Sequence, residues 1–142
     1  MRLIALIIIA LLLFCSAGAQ DRKIVVDTTA IVVAKKRPAI KFEIREHRFD
    51  TISISRNPKR EHTFTFTNTG EADLYILNVA TGCGCTTPTY TKKAIKPGKK
   101  GKIKVEYDAT GRRPGYYRKS VTVYSNDPSS YVRLFVDGVM VE

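Results

Sequence analysis

The sequence predicts an all-β, immunoglobulin-like antiparallel β-sandwich of seven to eight strands, and three observations carry that prediction. Apolar residues recur at every second position in one run after another, clusters of Gly, Pro, Asn and Asp separate the runs, and nowhere does apolar spacing keep a helical period over a useful length. A period of two sends alternate side chains to opposite faces, which suits a sheet with one face packed on a second sheet and the other in water. The lack of Trp and of a widely spaced cysteine pair points away from an antibody-type domain.

Taken in order, Arg2 precedes the uncharged apolar run Leu3 to Phe14 and the small-residue stretch Ser16-Ala17-Gly18-Ala19. That is the pattern of a secretory signal peptide over residues 1–19, with cleavage expected between Ala19 and Gln20. The run is shorter than the roughly 20 apolar residues a spanning helix needs, and no second run of comparable length follows, so no transmembrane segment is expected in the mature chain. Cys15 follows the bulky Phe14, an unfavourable context for lipid attachment, and is expected to leave with the signal peptide. The expected location is therefore outside the cytoplasm, periplasmic or extracellular. The 123 residues that remain suit one domain with a modest core. Loss of Arg2 leaves 23 basic against 13 acidic residues, a net charge of +10, which favours attraction to anionic surfaces.

Residues 20–38 alternate the apolar triplets Ile24-Val25-Val26 and Ile31-Val32-Val33 with charged or Thr-rich pieces, and read as an extended lead-in closed by Lys35-Lys36-Arg37-Pro38. The sandwich is placed at 39–142. Ile40, Phe42 and Ile44 alternate with Lys41, Glu43 and Arg45; Phe64 and Phe66 alternate with Thr63, Thr65 and Thr67, a threonine ladder suited to an exposed pleated face. Asp73 to Ala80 is more continuously apolar and reads as a central strand. Ile103-Val105-Tyr107, Val121-Val123 and Val132-Leu134-Val136 supply three further alternating runs. Asn57-Pro58, Asn68-Thr69-Gly70, Pro97-Gly98, Pro114-Gly115 and Asn126-Asp127-Pro128 supply the turns.

The order of motifs from about Phe49 to Val141 resembles a bacterial family of exported Ig-like domains of unassigned function, frequent in Bacteroidetes-type genomes. The resemblance runs through Phe64 to Gly70, Leu74-Tyr75-Ile76 and Gly82-Cys83-Gly84-Cys85-Thr86. It continues through Ile95 to Gly98, Gly101 to Val105, Tyr107-Asp108, Gly115 to Lys119, Ser125-Asn126-Asp127 and Leu134 to Val139. That family is similar in turn to the sperm-protein and cilia-associated Ig-like sandwiches, whose members are mostly adaptors. The resemblance implies a fold and not a reaction, so function has to be argued from sites.

Two sites stand out. Cys83 and Cys85 are the only cysteines of the mature chain and lie in a loop after the apolar run Leu74 to Ala80. In an oxidising compartment they can close a small disulfide ring, exchange with other disulfides, or chelate a soft ion such as Cu(I) as a pair of thiolates. Gly84 tolerates the dihedrals a small ring needs, and a strained ring is more easily reduced than an ordinary structural bridge. The helix N-terminus that stabilises a thiolate in thioredoxin-like proteins is missing from the pattern. Any metal would fall to Cys83 and Cys85, since nothing places His47 or His62 beside them; no cofactor is implied.

The second site is the run Lys92, Lys93, Lys96, Lys99, Lys100, Lys102 and Lys104, seven lysines inside thirteen residues. They read either as a charged edge that discourages aggregation between strands, or as a dock for an envelope protein or an anionic surface polymer. Nucleic acid fits poorly, because export separates the chain from it and the run has no interleaved stacking aromatics. Tyr116, Tyr117, Tyr124 and Tyr131 read as strand residues with an apolar ring and a wet hydroxyl, and Arg112 and Arg113 as exposed turn residues. There is no Gly-x-Ser-x-Gly elbow, no His-Glu-x-x-His and no phosphate loop. The sequence thus implies a non-catalytic interaction module of the cell envelope, with thiol-disulfide or copper handling at Cys83-Gly84-Cys85 as the alternative.

Overall fold

A computed structural model describes residues 35–142; the expected signal peptide and the lead-in up to residue 34 lie outside the described residues. Every regular element described is a strand. In chain order they are β1 (Ile40–Phe42), β2 (Glu46–Arg48), β3 (Ile52–Ser53), β4 (Lys59–Asn68), β5 (Ile76–Thr81), β6 (Thr86–Tyr90), β7 (Lys100–Asp108), β8 (Gly115–Ser125) and β9 (Tyr131–Val141). One sheet has the order β1-β4-β7-β6; the other has the order β2-β9-β8-β5, with β3 also paired to β9.

The alternation seen in the sequence is the alternation of burial. Phe64 and Phe66 on β4, Ile103, Val105 and Tyr107 on β7, Val121 and Val123 on β8, and Val132, Leu134 and Val136 on β9 all face one dry interior. Thr63, Thr65, Thr67, Lys102 and Lys104 face outward between them. Aromatic rings tie the layers together: Tyr107 of β7 and Tyr117 of β8 stack with centroids 4.2 Å apart, and the Tyr107 hydroxyl donates to Met140 Sδ at 3.4 Å.

The strand inventory differs from the expectation in two places. Among the described residues nine strands form in place of seven or eight: beyond the six runs named above, Glu46–Arg48, Ile52–Ser53 and Thr86–Tyr90 add three, and the first two pair with β9 in parallel. The chain pairs with β4 as far as Phe42, then crosses the open side of the sandwich to the other sheet, which leaves Ile44 exposed in the crossing instead of continuing the apolar face of β1. The run Asp73 to Ala80 is an edge and not a central strand: β5 pairs only with β8, and Leu77 is 63% exposed. A register shift between Ile76 and Asn78 turns Leu77 outward, and no strand pairs on the far side of β5.

Polar residues of the turns cross-link the layers. Asn68 is fully buried, and its amide donates to the carbonyls of Ala72 (2.7 Å) and Ile95 (2.8 Å) while Oδ1 accepts from the N–H of Gly70 (3.0 Å) and Ala39 (3.3 Å). Asp127, in the β8–β9 turn, accepts from the N–H of Ile40 at 2.8 Å and so joins β1 to the other sheet. Asn126 extends the β5 edge by accepting from the N–H of Tyr75 (2.8 Å) and donating to the carbonyl of Asp73 (3.0 Å). Loop 91–99 is pinned where Leu74 and Ile95 exchange backbone hydrogen bonds of 2.9 Å each.

Candidate functional site

The connection from β5 to β6 carries the chain from one sheet edge to the other, and the cysteines lie within it. Cys83 and Cys85 are joined as a disulfide with Cα atoms 5.3 Å apart. The loop is shaped by threonines: the Thr81 hydroxyl donates to the carbonyls of Cys83 (3.2 Å) and Thr86 (3.1 Å), and the Thr86 N–H donates to the Cys83 carbonyl. Thr86 Oγ1 lies 3.7 Å from Cys83 Sγ and 3.9 Å from Cys85 Sγ. The sulfurs are unequal in exposure, since Cys85 is 5% exposed whereas Cys83 is half-buried. Beside Cys83 is a cavity of about 230 Å³, lined also by Gly82, Thr86, Arg118, Lys119 and Ser120.

The lysine run divides into a loop and a strand. Lys92, Lys93, Lys96 and Lys99 stand on loop 91–99, and Lys100, Lys102 and Lys104 form a row on the outer face of β7; all seven are exposed. The row is not uniformly free. Lys100 pairs with Glu43 and Lys104 with Glu61, each at 2.6 Å, and the hydrogen bond to Glu61, followed by its charge, raises the Lys104 pKa. Lys92 Nζ lies 3.6 Å from the centre of the Tyr90 ring. Among the described residues no carboxylate lies within ion-pair distance of Lys93, Lys96, Lys99 or Lys102. Lys102, Lys104, Thr63, Thr89, Tyr90 and Thr91 line a shallow cleft of about 330 Å³, in which Thr63 of β4 and Thr89 of β6 flank Lys104 of β7.

The histidines meet each other. The His47 ring of β2 and the His62 ring of β4 are parallel, 3.6 Å apart between the sheets, and each is met edge-on by a phenylalanine, Phe49 and Phe64. His62 Nε2 is buried with no hydrogen-bond partner, and burial, reinforced by the neighbouring His47, lowers the His62 pKa below the ordinary imidazole value. No sequence signal announced this pair, because it depends on the register of two strands that lie in different sheets. Among the described residues no three potential ligands of His, Cys, Asp or Glu gather as a metal site. Of the tyrosines, Tyr117 is buried, and Tyr116, Tyr124 and Tyr131 are exposed on the outer face of the β2-β9-β8-β5 sheet. Arg112 and Arg113 are exposed in the β7–β8 turn. No described helix is long and apolar enough to cross a membrane.

Two packed sheets and the crossing of the chain between β1 and β2 define an Ig-like sandwich. Residues 40–140 match the family described as "Protein of unknown function (DUF1573)", and the chain belongs to it. Among solved structures, a protein of unknown function from Porphyromonas gingivalis W83 is similar at 17% identity and TM-score 0.63, covering 80% of this chain and 51% of that one. This chain thus spans about half the length of that relative. The PapD-like domain 7 of human CEP192 is similar at 11% identity and TM-score 0.59, covering 75% of this chain and 87% of that domain. The secreted serine protease VesC from Vibrio cholerae is similar at 13% identity and TM-score 0.53, covering 73% of this chain and 23% of that one. At such identities the likeness is one of fold. No curated protein matches the chain.

Proposed function

We propose that this protein is a non-catalytic interaction module of the bacterial cell envelope, periplasmic or secreted, that binds an acidic protein or an anionic surface polymer through the outer face of β7 and loop 91–99. The observation that carries the reading is the set Lys93, Lys96, Lys99 and Lys102, exposed and without carboxylate partners among the described residues, of which Lys102 shares a cleft with Thr63, Thr89 and Thr91. A lysine that only guards a sheet edge has no need of neighbouring hydroxyls, whereas an anionic chain uses both: ammonium groups attract it over a Debye length and hydroxyls fix its oxygens at contact. The likeness of fold to the PapD-like domain of human CEP192 supports the same reading, and so do the signal-peptide pattern and the high net positive charge.

The test is capture from envelope extract at low salt, with purified anionic envelope polymer as a second arm. The quadruple variant Lys93→Glu, Lys96→Glu, Lys99→Glu and Lys102→Glu should lose what the natural protein retains while keeping its melting temperature within a few degrees. Equal retention by both proteins in both arms defeats the reading.

A further inference from the structure

We propose that the Cys83–Cys85 disulfide is a thiol-disulfide exchange centre for small carboxylate-bearing thiols, in which Cys83 is the sulfur attacked and Cys85 the sulfur released. The first support is the inequality of the two sulfurs. Cys85 is buried, and its carbonyl accepts from the Asp108 N–H at 2.9 Å, which fixes it to the end of β7. Cys83 opens onto the cavity of about 230 Å³, and on either side of it Gly82 and Gly84 have no atom within 4 Å of where a Cβ would stand. A nucleophile therefore has room to reach one sulfur and not the other. The cavity has the scale of a single amino-acid side chain with its carboxylate, and is small for a larger ligand.

Charge gives the second support. Arg118 lines the cavity but is already held by Glu46 (2.8 Å) and Asp137 (3.9 Å) and lies over the Phe135 ring at 4.5 Å. Lys119 is different. It occupies the core-facing parity of β8, between buried Tyr117 and Val121, and is half-buried at the cavity wall, yet no carboxylate lies within ion-pair distance of it among the described residues. A half-buried lysine with no carboxylate partner adds, beyond the packing of its stem, only a cation held at the cavity wall. Its place beside a disulfide gives it a ligand instead: the carboxylate of an incoming thiol. Thr86 Oγ1, within 4 Å of both sulfurs, supplies a hydroxyl that can donate to the thiolate released.

The chemistry balances without a metal or cofactor. The thiolate of the small thiol attacks Cys83 Sγ; a bond forms between them, the bond between the protein sulfurs breaks, and its electron pair leaves on Cys85 Sγ. A second small thiolate attacks the small-thiol sulfur of this mixed disulfide, which gives the free small-molecule disulfide and the Cys83 thiolate. Two small thiols are oxidised, the protein disulfide is reduced by two electrons, and the protons of the two thiols end on the protein's cysteines or in solvent.

The experiment compares 3-mercaptopropionate, 2-mercaptoethanol and cysteamine as reductants of the purified protein without denaturant, each rate corrected for its thiolate fraction. The anionic thiol should react about tenfold faster than the cationic one at low salt, and Lys119→Gln should slow the anionic thiol about fivefold while leaving or raising the rate for cysteamine, as removal of a nearby cation requires. Acid quenching followed by fragmentation mass spectrometry should locate the mixed disulfide on Cys83. Rates blind to thiol charge, an adduct on Cys85, or a disulfide inert to millimolar thiol would each overturn the proposal; loss of fold in Lys119→Gln would appear as equal acceleration by all three thiols, which also counts against it.

Discussion

Gly101, the second residue of β7, faces the ring of Phe66 on the neighbouring strand, and a methyl group there would enter that ring. Gly101→Ala should destabilise the protein by about 1–3 kcal/mol through overpacking, read as a lower midpoint in urea. Asn68 acts through polarity: Asn68→Ala should cost about 3 kcal/mol, because the carbonyl of Ala72 and the N–H groups of Gly70 and Ala39 lose their side-chain partner, while the Ile95 carbonyl keeps only the N–H of Leu74. The sequence marks Asn68-Thr69-Gly70 as a turn and goes no further, since the partners of Asn68 come partly from Ala39 and Ile95, far along the chain. Cysteine chemistry is legible from residue type and compartment alone. The inequality of the two sulfurs is not, because it arises from Asp108 and the cavity wall on β8.

At the scale of elements, the long strands were legible and the short ones were not. β4, β7, β8 and β9 each run long enough for a period of two to be counted, while β2 and β3 have three and two residues and take their conformation from β9. β5 misleads because Tyr75 and Leu77 are apolar yet face water, so its burial is lower than its composition suggests. The contact between β2 and β4 brings a pH dependence with it. The folded state holds His62 below its ordinary pKa, so the unfolded chain binds more protons once the pH falls under about 6.5. Stability is therefore full above that value and declines as the pH drops through the folded-state pKa. Denaturant midpoints at neutral pH and near pH 5 should show the decline, and His62→Phe, which keeps an aromatic ring against His47, should flatten it; equal slopes for the two proteins would show that the stack does not govern it.

Over the whole molecule, charge and topology set the behaviour. Excess basic residues make any encounter with an anionic surface strongly salt-dependent: capture that operates at low ionic strength should fall away near 0.5 M salt, where the Debye length is only about 4 Å, and capture indifferent to salt would place the contact on apolar groups such as Tyr116, Tyr124 and Tyr131 instead. The sequence shows the sign and size of this charge but not its distribution, since Glu43 and Glu61 neutralise two of the lysines through strand pairing. The parallel pairing of β2 and β3 with β9 sets the order of assembly. Glu46 aligns with Phe135 and Ile52 with Met140, so β2 and β3 have no strand partner until β9 has been delivered. A polypeptide threaded through a translocation pore from its leading end would thus emerge with these segments unzipped, and would lock only when its trailing end came free.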